Sequence, residues 1–298
     1  MKTWIRWIGG ALLALVVVAV LAIMIANSVG KSKQTRTVSV AVAAIPVTAS
    51  AERIAHGRYL FDTRGCADCH GADGAGKTVL QDGGMLIVAP NITPGPGSAA
   101  ARYGVVDWVR TVRHGVKPDG RPVIVMPSED YARLSDEDTA ALVAYLQQLP
   151  PLPGKQAVIQ LPLPVRVAYG VGMIKDAAEK IDHELPPSQA IAAAVTPAYG
   201  AYVANSCTGC HGARLEGGRI PGGPPDWPPA ARLAPGKGSA MAHYADAAQF
   251  IDMLKSGRRP DGSAISPVMP FGSLGKMSDT DMRALYAYLS SLPAAKAP

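Results

Sequence analysis

All four cysteines of this chain fall in two copies of one short motif, Cys66-Ala-Asp-Cys69-His70 and Cys207-Thr-Gly-Cys210-His211. Cys-x-x-Cys-His is the attachment signature of a c-type heme. Each cysteine pair can form two thioethers with the porphyrin vinyl groups, and the adjacent histidine can bind iron through its imidazole. No cysteine is left for a disulfide or a nucleophile. A length of 298 residues allows about two domains, yet the chain holds only 3 Phe and 4 Trp. A buried heme in each half would supply apolar surface that these side chains do not. Two other readings of the motif are a zinc site and a redox dithiol. Zinc would want a further ligand pair at motif spacing in each half, and a thioredoxin-like dithiol a β-α-β pattern. The sequence has neither.

The surroundings of the motifs repeat as well. Gly57-Arg-Tyr59 precedes the first motif and Gly200-Ala-Tyr202 the second. Gly115-Val-Lys-Pro-Asp-Gly120 is matched by Gly257-Arg-Arg-Pro-Asp-Gly262, and Ser135-Asp-Glu-Asp138 by Ser278-Asp-Thr-Asp281. Repeats of this length are duplicated domains rather than solenoid units. The coarse pattern is helical, with helices expected before each motif, near 106–114 and 248–256, and after Ser135 and Ser278. Both serines suit an N-cap, where a hydroxyl oxygen accepts from first-turn amides. Leu142, Tyr145, Leu146 and Leu149, and likewise Leu285, Tyr288, Leu289 and Leu292, recur at helical spacing.

His70 and His211 are one axial ligand each. For the sixth position, Met126-Pro127 and Met269-Pro270 occupy the same place in the two copies, between the Pro-Asp-Gly turn and the last helix. A thioether is a soft neutral ligand that favours reduced iron and raises the potential. Met85 competes in the first half. Met241, Met253, Met277 and Met282 fall on expected helices and read as core fillers. His56, His114, His183 and His243 could serve as second histidine ligands, but none recurs in register. Asn91, Arg113 and Trp227 are candidate donors to heme propionates. Gly71-Ala-Asp-Gly-Ala-Gly76-Lys77-Thr78 satisfies a phosphate-loop pattern that has meaning only between a strand and a helix. It follows directly on the heme-motif histidine in a half with no expected strand, so no nucleotide is expected.

The N-terminus carries an uncharged apolar run from Trp7 to Ala26. Its length matches the ~20 residues of a spanning helix rather than the ~7–15 of a signal-peptide core. An uncleaved anchor is expected, with a cleaved signal as the alternative. Of the net charge of +6, five positive charges and no acid lie in the first 49 residues. A basic stripe on a folded domain, as nucleic-acid binding requires, is not expected.

Both halves resemble class I cytochrome c domains. More narrowly, Asn91-Ile-Thr-Pro94, Arg113-His-Gly115, Pro118-Asp-Gly120, Met126-Pro127, Ser135-Asp-Glu-Asp138 and Leu161-Pro-Leu-Pro-Val-Arg166 are similar to the cytochrome c subunits of bacterial alcohol, gluconate and aldehyde dehydrogenases. Those subunits carry three heme motifs and this chain has two. The resemblance implies an all-α fold, with three to five helices around each heme. The expected organisation is an anchor over 1–30, a tether over 31–49, domains over 50–150 and 197–298, and a linker over 151–196. It implies two covalent hemes c on Cys66, Cys69, Cys207 and Cys210, with His70, Met126, His211 and Met269 on the irons. The expected function is electron relay, without enzymatic chemistry, between a redox partner and the respiratory chain. The partner would be a periplasmic dehydrogenase, an oxidase or another cytochrome. In bacteria c-type heme is attached outside the cytoplasmic membrane, so the domains are expected in the periplasm on a single inner-membrane span. The competing class is a diheme peroxidase, which needs one open iron face.

Overall fold

The computed structural model describes residues 2–224 and 226–293; Met1, Pro225 and the last five residues of the second expected domain lie outside them. Helix α1 (Lys2–Thr35) contains the apolar run, and its side chains from Thr3 onward stay exposed until Ala26. It is long and apolar enough to cross a membrane. An extended segment follows and lies along the first domain, with Val38 N donating to Gly120 O (2.8 Å) and Ile45 buried near Val109 and Ala140.

The first domain runs through α2 (Ala51–Thr63), α3 (Cys66–His70), β1 (Lys77–Asp82), β2 (Met85–Ala89), α4 (Val105–His114), α5 (Ser128–Tyr131) and α6 (Asp136–Gln147). Helix α2 crosses α6 at Gly57, where any Cβ would stand 1.9 Å from Ala141 O. Only glycine allows the two backbones to touch in this way. As expected, Ser135 caps α6, its Oγ accepting from Asp138 N at 3.1 Å.

The expectation of an all-α fold needs a correction. Strands β1 and β2 form an antiparallel hairpin, and β3 (Val158–Gln160) adds to β2, giving the order β1-β2-β3. The cause is local. Thr78-Val-Leu80 before and Met85-Leu-Ile-Val-Ala89 after flank Gly83-Gly84, both at positive φ, the backbone a two-residue hairpin turn demands. The phosphate-loop pattern therefore has a helix before it and a strand after it, the reverse of the order that cradles a phosphate.

The segment over 151–196 packs against the first domain. Besides β3 it contains α7 (Leu163–Gly170), which lies on α1, and α8 (Ala177–Lys180). The second domain follows as α9 (Pro197–Val203), α10 (Thr208–His211), α11 (Ala247–Ser256), α12 (Phe271–Leu274) and α13 (Asp279–Ser291). Helix α9 crosses α13 at Gly200, again with a Cβ position 1.9 Å from a carbonyl, that of Ala284. One continuous apolar core joins the two domains, including Phe61, Trp108, Leu146, Tyr202, Phe250 and Leu289.

Candidate heme centres

Each motif is held in one short helical turn. Gly65, at φ 81°, starts α3, and Gly71, at φ 80°, ends it; Gly212, at φ 77°, ends α10. On a helical turn residues i, i+3 and i+4 share a face, so Cys66, Cys69 and His70 line one side, as do Cys207, Cys210 and His211. Burial pushes the Cys66 thiol up to about 12 and that of Cys207 up to about 11. A reactive dithiol or metal thiolate calls for the opposite shift. Among the described residues no three His, Cys, Asp or Glu side chains converge on a metal position. The zinc and dithiol readings lose their support.

The histidines are oriented identically. His70 Nδ1 lies 2.9 Å from Pro90 O, and His211 Nδ1 lies 2.7 Å from Ala231 O. A carbonyl only accepts, so each Nδ1 carries the proton and each Nε2 keeps a lone pair with which it could bind a metal. Burial lowers both imidazole pKa values, against the raising effect of those carbonyl bonds, and keeps the rings neutral. The carbonyl loops can come this close because a glycine faces each of them. A Cβ on Gly76 would meet Ala89 O at 2.5 Å, and one on Gly217 would meet Ala230 O at 2.4 Å. The glycines that mimic a phosphate loop thus serve to aim a histidine.

Met126 and Met269 stand in matched surroundings. Each is partly buried against the core, as is the first cysteine of its motif, and each precedes a proline that opens a short helix. Their carbonyls accept from Ser128 N and Phe271 N, both at 2.8 Å. Met85 sits at the tip of the β1–β2 hairpin, paired with Asp82. Met241, Met253, Met277 and Met282 are buried core residues. His56 bonds Asp138 and His114 bonds His183, so these rings are engaged elsewhere.

The three propionate candidates separate. Asn91 is committed to the backbone, its Nδ2 donating to Leu152 O (2.7 Å) and its Oδ1 accepting from Thr93 N (2.8 Å). It braces the loop that presents Pro90 O. Trp227 is 40% exposed on a coil. Arg113 is buried and bonds Asp136 through Nη1 at 2.7 Å, while its Nε and Nη2 are buried with no partner. Buried donors normally find acceptors, and an anionic propionate would supply one. Arg232, absent from the sequence expectations, has a buried Nε in the same condition. It takes the place of Asn91 in the second copy: Ala99 N donates to Asn91 O and Ala240 N to Arg232 O. Thiols on one helical face, an aimed imidazole, a partly buried thioether and an orphaned guanidinium together fit a covalently held heme in each half.

The two centres adjoin one interface. Asp68, inside the first motif, accepts from Ser273 Oγ, and Gly209 N, inside the second, donates to Asp130 at 2.8 Å. Asp130 and Ser273 each follow the methionine of their own domain by four residues. Each heme-motif turn thus touches the segment beyond the other domain's methionine. Tyr59 OH, in turn, donates to Asp281 (2.7 Å) and accepts from Ser278 N (2.9 Å), while Tyr202 OH donates to Asp138 and accepts from Ser135 N (3.1 Å).

The family model for cytochrome c matches residues 54–150 and 196–293, more than half of the chain. The chain belongs to the cytochrome c family. Among curated relatives, this cytochrome is 30% identical over 273 residues to the alcohol dehydrogenase (quinone) cytochrome c subunit of Gluconacetobacter polyoxogenes, covering 80% of the chain and 55% of that protein. It is 34% identical over 142 residues to the fructose dehydrogenase cytochrome subunit of Gluconobacter japonicus, covering 45% of the chain and 29% of that subunit. Over 262 residues it is 28% identical to a diheme cytochrome c-type protein of Cereibacter sphaeroides, covering 80% of the chain and 85% of that protein. The chain thus spans about half the length or less of these dehydrogenase subunits. The tandem match and these relatives identify an electron-transfer cytochrome with two cytochrome c domains.

Proposed function

We propose that this cytochrome carries two covalent hemes c and passes electrons from a periplasmic dehydrogenase toward the respiratory chain, anchored in the inner membrane by α1. Bound heme supplies an iron that exchanges one electron. Cys66, Cys69, Cys207 and Cys210 would hold the porphyrins, with His70 and Met126 on one iron and His211 and Met269 on the other. Neutral imidazoles fixed by Pro90 O and Ala231 O, together with neutral thioethers, add no charge to the sites. An imidazole and a thioether on each iron would suit outer-sphere transfer and would leave no open position for a peroxide. Arg113 and Arg232 would take the propionates. The observation that supports the reading is the reciprocal contact of each heme-motif turn with the other domain; hemes held at both motifs would lie to either side of that contact. The dehydrogenase partner is supported by relatives that are themselves named as dehydrogenase subunits.

The test is the purified holoprotein. Two hemes per chain, low-spin ferric spectra for both, and the weak sulfur-to-iron band in the near infrared are the expected results. A single heme, or one high-spin ferric heme at rest, would sink the relay and favour a peroxidase.

A further inference from the structure

Helix α7 lies antiparallel along the end of α1. A Cβ on Gly30 would meet Arg166 O at 2.2 Å, and one on Gly170 would meet Ala26 O at 1.9 Å. The two backbones therefore touch at both levels, and Arg166 Nε donates to Asn27 Oδ1 at 2.8 Å. Gly170 thus stands level with Ala26, where the apolar run of α1 ends. Beyond Gly170 the chain continues in the same direction for one tight turn and comes back. Met173 N and Ile174 N both donate to Ala168 O, at 2.9 and 3.2 Å, and Gly172 takes φ 79° at the tip. The returning strand is then fixed at Asp176, whose carboxylate receives both Nη atoms of Arg36, at 2.6 and 2.9 Å.

This turn presents apolar side chains to the outside. Val171 is 58% exposed and Met173 82% exposed. A turn this short reaches past the level of Ala26 by at most about one helical turn, roughly 5 Å, toward the part of α1 where Met24 and Ile25 are exposed. Lys31, Lys33, Arg36 and Arg166 lie back toward the domains, exposed Lys175 follows the tip by two residues, and Val171-Gly172-Met173 itself has no charge. An apolar tip that continues a spanning helix, with cations behind it, matches the boundary between acyl chains and headgroups.

We propose that Val171-Gly172-Met173 is a second membrane contact, a foot that inserts into the phospholipid boundary beside α1 on the domain side. The proposal rests on the reading of α1 as a membrane span. Its consequence is orientation. The segment carrying the foot is bonded to the first domain through β3, through His114 and His183, and through Lys180 and Glu129 (2.5 Å). That domain would therefore sit at a set height and tilt above the bilayer rather than swing on a loose tether.

Site-directed spin labelling of the full-length holoprotein in phosphatidylcholine–phosphatidylglycerol nanodiscs tests this. The four native cysteines are consumed by heme attachment, so single variants Val16→Cys, Met173→Cys and Asp261→Cys each offer one thiol. All three positions are exposed and outside the heme sites. Relative accessibility to oxygen and to a water-soluble nickel chelate reports depth. The expected ratio at 173 is several-fold above that at 261 and below that at 16. A ratio at 173 equal to that at 261, with 16 immersed, overturns the foot and leaves the anchor standing. Aqueous values at both 16 and 173 overturn both. A label at 173 shielded from oxygen and nickel alike would mean a protein contact, and would also overturn the lipid assignment.

Discussion

Asp138 and Asp281 occupy the same place in the two domains, the third residue of the last helix, and they are held by different partners. Asp281 is 2% exposed and meets Tyr59 and Arg64 from the first domain, Tyr199 from its own, and the Ser278 hydroxyl. Asp138 meets Tyr202 from the second domain and His56 from its own, a ring whose side chain is 47% exposed. The tyrosines are exact counterparts in the repeat, and so are His56 and Tyr199. Arg64 has no cationic counterpart: the second copy runs from Tyr202 to Cys207 over two fewer residues than the first runs from Tyr59 to Cys66, and two residues before Cys207 stands Asn205. Duplication thus set a two-fold backbone arrangement, and a cation in one copy where the other has Asn205 made its electrostatics unequal. One side of the interface rests on a permanent cation, the other on a titratable ring.

The sharpest way to break this comparison is to remove each aspartate. Asp281→Ala would leave Arg64, 6% exposed at its side chain, without its anion, and should cost about 3–5 kcal/mol. Asp138→Ala leaves a half-exposed imidazole and a tyrosine hydroxyl to water, and should cost about 1–2 kcal/mol. Denaturant unfolding of the two variants measures both losses; equal losses would show that the two halves of the clasp are energetically alike after all.

Next in size are the thioethers. Met126→Ala and Met269→Ala should each leave heme attached and lower one potential by on the order of 100 mV, since axial ligands are the main lever on heme potential. A redox titration in which either variant keeps both potentials would show that methionine to be misassigned. The arginines come below them. Arg113→Gln and Arg232→Gln each remove a cation that favours the reduced state, and each should lower one potential by roughly 60 mV, a tenfold change for a one-electron couple. These donors do not follow the repeat: Arg113 corresponds to exposed Lys255, and Arg232 to Asn91. If both arginine variants moved the same heme, the proposed pairing of one arginine with each centre would fail.

That exchange marks where the sequence stops being legible. The heme motifs, serine caps, Pro-Asp-Gly turns and matched methionines follow from local rules, and the repeat doubles each signal. The β1–β2 hairpin was also locally written, in Gly83-Gly84 between Thr78-Val-Leu80 and the apolar run Met85–Ala89, but an all-helical expectation for the fold passed over it. Asn91 could not be read, because its partners Leu152 O and Lys155 O come from a segment about 60 residues away. Arg232 was hidden for the opposite reason. An arginine on an irregular loop looks solvated until the loop is seen to bury its Nε. Nor does any pattern in one domain announce Tyr59 and Tyr202, whose hydroxyls cap helices of the other.

The smallest expected effect is also the most specific to the asymmetry. The hydrogen bond to Asp138 raises the His56 pKa above its usual value, against partial burial and with help from the same carboxylate's charge. A histidine whose folded-state pKa is raised stabilises the fold fully below about 6.5, and that contribution disappears as pH climbs through the raised value. Between pH 6 and 8.5 the Asp138 side of the interface should therefore loosen. With the ring half exposed, the loss should be only a few tenths of a kcal/mol. The Asp281 side should not change, because Arg64 keeps its charge throughout. Amide exchange of Ser135, which donates to Tyr202 OH, should accelerate over this range beyond the intrinsic pH effect, while that of Ser278, which donates to Tyr59 OH, should not. His56→Gln should abolish the difference by removing the titrating ring. Parallel behaviour of the two amides in the wild-type protein would mean that the interface opens as one unit, and that the unequal partners do not act separately.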